Sequence, residues 1–279
     1  MERTVKKKVK GFLTKDGAGV QLVRVLGHDT VQEFDPILML DSFDSTNPSD
    51  YTVGFPMHPH RGIETITYIA KGNIIHKDSL GNQEEIGDGE VQWMSAGSGI
   101  MHEEMLPASK RLLGVQLWLN LPSEYKMSNP SYTGIKHDKI PEIQFSGGML
   151  RLLAGRYEQY QSYIAQYLPM NYYDIHLQKN AQITLQTHYD DSIMLFTLLG
   201  CIYIDDVLIE EKTAVKLTQG DYVSIKTKDE YAQVLYISSK ALHEPVAWAG
   251  PIVMNTEKEL YEAFEDLENH TFIKKKVTY

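Results

Sequence analysis

Cysteine is almost missing from this sequence: Cys201 is the single thiol among 279 residues. That excludes an intrachain disulfide framework and a cysteine-rich zinc site, and it makes the reducing cytoplasm the expected location. Basic charge is also scarce, with 27 Lys and Arg against 37 Asp and Glu and a formal charge of -10. Such a surface repels a phosphate backbone, so no direct nucleic-acid partner is expected. The basic clusters Lys6 to Lys10 and Lys274 to Lys276 read as solvated ends. Long apolar runs are lacking too. The stretch Ile193 to Leu199 falls far short of the ~20 residues that a helix needs to cross a bilayer. The start, Met1 to Lys8, is charged and has none of the apolar core of a secretory leader, so no membrane partner is expected.

What is present is ordinary globular material. Hydrophobic residues make up 42% and charged residues 23%, enough for one large or two small cores. Most of the chain reads as short strands: Val20 to Leu26, Glu64 to Ile69 and Gly114 to Leu119 alternate or are rich in β-branched and aromatic residues. Glycine turns recur at Lys71-Gly72-Asn73, Leu80-Gly81-Asn82, Gly87-Asp88-Gly89 and Gln219-Gly220-Asp221, which favours a sandwich or barrel over a parallel α/β sheet. One helix is expected near the end. Thr256 and Glu259 form a capping box, and Leu260, Ala263, Phe264 and Leu267 follow as an apolar stripe.

A polar stretch punctuated by Pro122, Pro130 and Pro141 has little periodicity and marks a connection. Its two sides share a layout: Gly72 to His76 followed by Gly87 to Val91 resembles Gly200 to Ile204 followed by Gly220 to Val223. The expected division is residues 1–130, a linker at 131–143, and residues 144–279.

Two motifs carry chemistry. In Met57-His58-Pro59-His60 the histidines are two apart, so on a strand both imidazoles point to one side within ~7 Å. Pro59 cannot donate to a sheet ladder, which puts the motif at a strand end, edge or bulge. Met101-His102-Glu103-Glu104 repeats the spacing, with His102 and Glu104 on one face and Glu103 on the other. Facing each other across a barrel, the pairs would set three nitrogens and a carboxylate around one metal. Either pair alone is an ordinary polar strand face. Together in one β half, with Ala96-Gly97-Ser98-Gly99 as a tight turn before the second, they argue for a metal site. Elsewhere the ordinary reading stands: His76 and Gln116 are half-buried polar strand residues, and Trp93, Met94 and Trp118 are core. Arg61 is a surface charge, or an anion guide beside the metal.

The segment Phe55 to Thr65 resembles the signature of the pirin family of the cupin superfamily, as does Gly89 to His102. Phe34-Asp35-Pro36, Leu38 to Asp41 and Gly250 to Thr256 add matches, so the resemblance spans most of the chain. It implies a mainly β protein of two tandem cupin barrels (double-stranded β-helices, or jelly rolls) with a C-terminal α-helix. It also implies one metal in the N-terminal barrel, with ligands matching His58, His60, His102 and Glu104. The general cupin pattern places its glutamate at Glu64, and a Pro-x-Gly where this chain has Ser95-Ala96-Gly97. Pirins share that departure and take the carboxylate from the later motif, which favours Glu104. In the second half, aligning the glycines sets Gln186 and His188 opposite His58 and His60. The same alignment sets Gln233 and Leu235 opposite His102 and Glu104. That half is expected to carry no metal.

Three imidazoles and a carboxylate suit one divalent transition metal. Iron(II) leads, with nickel, copper, manganese, cobalt and zinc also able to bind. The resemblance implies a quercetinase-type dioxygenase that opens a flavonol-like aromatic substrate, with Glu104 doubling as the catalytic proton acceptor. The alternative is a non-enzymatic regulatory protein whose metal or redox state governs its affinity for a protein partner. No triad, phosphate loop or dinucleotide fingerprint competes with these readings.

Overall fold

The structure, a computed structural model, describes residues 1–274; Lys275 and Lys276 of the C-terminal basic cluster lie outside that range. It is mainly β, as expected, with two barrels and one long helix, Glu257–Glu268. The first strands are β1 (Val5–Lys10), β2 (Phe12–Asp16), β3 (Val20–Leu26) and β4 (Ile37–Ser45). Next come β5 (Phe55–His60), β6 (Ile63–Lys71), β7 (Ile74–Asp78) and β8 (Gln83–Ile86). β9 (Glu90–Ser95), β10 (Ile100–Met105), β11 (Leu112–Asn120) and β12 (Ser131–Ile135) follow, and β2 to β12 form the first barrel.

Hydrogen bonding arranges β12-β9-β6-β11-β4-β3-β2 as a seven-stranded sheet and β5-β10-β7-β8 as a four-stranded one. The central strand β11 is buried on both faces, which is why it reads as a nearly continuous apolar run. Polarity changes along the strands. Ile69, Leu112 and Phe43 belong to an apolar cluster with Val20, Leu22 and Phe55. Further along β6, β11 and β4 stand Thr67, Gln116 and Asp41, paired with one another across the sheet. The barrel thus has an apolar end and a polar end, and the polar end holds the site.

The second barrel repeats the plan. Its seven-stranded sheet runs β1, Thr213–Leu217, Ser192–Leu199, Ala232–Ser239, Met170–Leu177, Gly148–Ala154, Glu142–Phe145. Its four-stranded sheet runs Gln182–Gln186, Tyr222–Lys226, Ile202–Ile204, Val207–Ile209. The order corrects part of the expected correspondence. Tyr222–Lys226 stands where β10 stands in the first barrel, whereas Gln233 and Leu235 lie on the counterpart of β11. Gly89 leads into β9, but Gly220 leads into the counterpart of β10, so matching those glycines is one strand out of step. Val223 and Ile225 are buried in the apolar core there, beside Ile183 and Leu185. Gln186 and His188 are exposed.

The compact units also differ from the expected 1–130, 131–143 and 144–279. One comprises residues 1–12, 25–36 and 137–241; the other comprises 13–24, 37–136 and, among the described residues, 242–274. The stretch expected as linker contains β12, whose Tyr132, Thr133 and Ile135 extend the large sheet at β9. The basic N-terminal run is no loose end either: β1 pairs with Thr213–Leu217. The C-terminal helix goes with the first barrel. Thr256 accepts from the Glu259 N–H at 3.2 Å and Glu259 accepts from the Thr256 N–H at 2.9 Å, closing the expected capping box. Leu260 and Ala263 are buried; Phe264 is exposed. Among the described residues, no helix is long and apolar enough to cross a membrane.

Candidate metal centre

β5 is the edge strand of the small sheet, where Pro59 costs no ladder bond. Its register against β10 slips: His102 faces His58, but Glu104 faces Phe55, so β5 carries one extra residue. Strand parity holds on both. His60 and His102 are buried, His58 is partly exposed, and Glu104 is buried while Glu103 turns out toward Lys77 at 3.6 Å. The donor atoms of His58, His60 and His102 lie within 4.8 Å of one another. Glu104 stands outside that set.

The arrangement of the imidazoles suits a metal ion. His58 Nδ1 meets the Pro56 carbonyl and His60 Nδ1 meets the Pro251 carbonyl, each at 2.9 Å. A carbonyl accepts only, so both Nδ1 atoms carry the proton and both Nε2 atoms present lone pairs. Those Nε2 atoms stand 3.0 Å apart. Two lone pairs at that distance repel, and a shared cation, a proton or a metal, turns the contact into an attraction. Adjacent nitrogens ~2.1 Å from a metal at right angles are about 3.0 Å apart. Both nitrogens of His102 are buried without a hydrogen-bond partner. Burial, then the neighbouring His58, pushes the His60 pKa down to about 3. Burial also holds His102 well below the usual histidine range. Neutral imidazoles are the ligating form.

Glu104 is gripped by two amides from the opposite sheet. Gln92 Nε2 donates to one carboxylate oxygen, and Gln116 Nε2 donates to the other at 2.8 Å. Gln92 and Gln116 flank Thr67 across β9, β6 and β11, which identifies the face of the large sheet that looks toward the histidines. Trp118 shares that face and packs edge-on against His60, ring centres 5.0 Å apart. Glu64 does not share it. It pairs with Ser95, on the face that carries Trp93, and burial pushes its carboxyl up to about 7.

Two neighbours read from the sequence as ordinary half-buried strand residues, His76 and Gln116, are buried beside the site, and others escaped that reading. His76 lies directly across β7–β10 from Glu104, stacks on Tyr132 with ring centres 4.1 Å apart, and meets Asp78 at 2.9 Å. Its ring centre is 5.4 Å from that of His102. The His76-Lys77-Asp78 alternation was the available signal. Gln92 had none beyond strand parity, and the Pro251 carbonyl had none at all. Arg61 is neither a surface charge nor an anion guide: it is 2% exposed, and its guanidinium is held by Ser98, Asp266 and Phe272.

Known proteins share this sequence and fold. The pirin family model matches residues 19–119, and the pirin C-terminal cupin domain matches residues 172–273. A pirin-like protein of Caulobacter vibrioides is 39% identical over 97% of this chain and 99% of its own length. A Pseudomonas aeruginosa protein, provisionally named quercetin 2,3-dioxygenase, is 37% identical over 92% of this chain and 93% of its own. The crystal structure of a quercetin 2,3-dioxygenase from Acinetobacter baumannii superimposes with a TM-score of 0.89 at 31% identity, covering 98% of this chain and 99% of that one. With both halves matched and a full-length relative at this identity, the chain belongs to the pirin family.

Proposed function

We propose that this protein is a metal-dependent dioxygenase of the quercetinase type, acting in the cytoplasm on a flavonol-like aromatic substrate. The observation that carries the reading is the convergence of three imidazoles, two of them with Nε2 atoms 3.0 Å apart. His58, His60 and His102 would hold a divalent metal, and Glu104, two residues beyond His102 on the same strand face, would complete the set. A nitrogen-rich site with one carboxylate suits iron(II) and selects weakly against nickel, copper, manganese, cobalt and zinc. When bound, the metal supplies Lewis acidity toward a substrate hydroxyl and a place for dioxygen.

The chain's own residues do the rest. Glu104 takes the proton of the substrate hydroxyl, and the Gln92 and Gln116 amides fix where its oxygens point. Trp118 keeps His60 in place and covers it from water, while the partly exposed His58 marks the side from which a substrate enters.

The test is anaerobic purification with elemental analysis, followed by oxygen uptake with quercetin on iron-, nickel- and copper-loaded protein. Uptake above that of free metal, lost with Glu104→Gln, is the expected result. Full metal occupancy with no uptake from any of the three overturns the oxygenase and leaves the regulatory alternative.

A further inference from the structure

The loop that carries His60 is stitched to a distant part of the chain. Besides the His60–Pro251 contact, the Val253 N–H donates to the Arg61 carbonyl at 3.1 Å. The buried Lys126 ammonium bridges the Gly62 and Val253 carbonyls at 2.9 and 3.0 Å. Arg61 spans further: Nε donates to the Ser98 carbonyl at 2.8 Å, one terminal nitrogen to Asp266 at 2.9 Å, and the other to the Phe272 carbonyl at 3.0 Å. Its guanidinium lies 4.3 Å from the centre of the Phe272 ring. A Cβ on Gly62 would sit 1.9 Å from the Val253 oxygen, and one on Gly99 would sit 2.7 Å from the Phe272 oxygen. Both turns that deliver ligand strands therefore lie against the segment Pro251 to Phe272.

From this geometry we infer that Pro251 to Phe272 is a clamp that orients His60 for the metal, with Arg61 as the positioning residue that locks it, so that metal binding and clamp docking are coupled. The inference rests on reading the three imidazoles as a metal site. A docked clamp supplies the carbonyl that holds the proton on Nδ1 and leaves the Nε2 lone pair free; an undocked clamp releases both. Asp266 is the partner that compensates the buried guanidinium. Neutralising it leaves an unpaired buried cation, which drives the clamp toward solvent. Linkage makes the coupling reciprocal: whatever the clamp adds to metal affinity, metal adds to clamp docking.

Cobalt(II) alone, with no substrate, tests the coupling. Its titration is followed by visible absorption in the full chain and in Asp266→Asn and Asp266→Glu, alongside hydrogen exchange of residues 251–272 with and without cobalt. Wild type should exchange more slowly in that segment when cobalt is bound. Asp266→Asn should bind cobalt about 10-fold more weakly, the low end for an outer-shell partner, with its thermal melt still cooperative. Asp266→Glu should recover most of the affinity. Nitrogen-15 spectra of metal-free protein should show the Nδ1–H form of His60 diminished in Asp266→Asn. Wild-type affinity in Asp266→Asn, or equal exchange with and without cobalt, overturns the clamp while leaving the metal site intact. Wild type that takes up no cobalt overturns the site itself.

Discussion

Glu64 and Thr65 are consecutive and face opposite sides of β6: Thr65 pairs with Met94 on the side of Gln92, while Glu64 pairs with Ser95 on the side of Trp93. That alternation separates the two glutamates that could serve as the carboxylate ligand. Glu104→Gln should weaken metal binding by more than the ~10- to 100-fold typical of an outer-shell change. Glu64→Gln should bind as the parent does. Equilibrium metal titration of the two variants decides it, and the reverse ranking would reassign the ligand.

Metal content should be about one per chain, all of it in the first barrel. His58→Ala with His60→Ala should abolish tight binding. Gln186→Ala with His188→Ala should change nothing, because both side chains are exposed and the strand counterpart of β10 offers only Val223 and Ile225 inward. Elemental analysis after dialysis gives the count.

The metal-free protein should lose stability as pH falls from about 6.5 toward 3. Folded His60 and His102 resist protonation, chiefly because they are buried, whereas the unfolded chain takes up those protons near 6.5. Each histidine contributes a slope of about 1.4 kcal/mol per pH unit inside the window. Glu64 acts with the opposite sign. Its carboxyl, raised to about 7 by burial, stays protonated in the folded state while the unfolded chain ionises. Its contribution is whole below ~4.5 and is lost as pH rises through 7. Urea unfolding from pH 4 to 8 should show a shallower acid slope in His60→Gln, and in Glu64→Gln a gain above pH 7.

Gly62→Ala should cost far more than Gly81→Ala. Both glycines have positive φ, +79° and +88°, so each substitution carries ~1–2 kcal/mol of backbone strain. Only at Gly62 does the new methyl meet a wall, the Val253 oxygen at 1.9 Å. Gly81 has nothing within 4 Å. Comparing the thermal midpoints of the two variants separates strain from collision.

What the sequence revealed was local, and what it hid was register. His58 with His60, and His102 with Glu104, are pairs two residues apart, and strand parity alone places each on one face. Glu64 could not be placed by parity with His60, because β5 ends at His60 and the chain turns through Arg61 and Gly62 before β6 begins. The amide grip on Glu104 depends on how two sheets align, which no spacing in β9 or β11 discloses. Arg61 illustrates the limit best. Everything near it in sequence suggests an exposed charge, and its burial comes from Asp266 and Phe272, some two hundred positions away. The proline-marked stretch misled for a related reason: β12 is short and polar, and only its pairing with β9 makes it a strand.

The division of the chain into units has a consequence for synthesis. A ribosome makes the three histidines of the first barrel early, and that barrel's sheets can pair while the second is still being translated. The Pro251 carbonyl that holds His60 is made 191 residues after it. The barrel that holds the histidines is therefore completed only after the second has been translated, and a nascent chain exposes its three imidazoles to whatever metal is at hand before the residues that orient His60 exist.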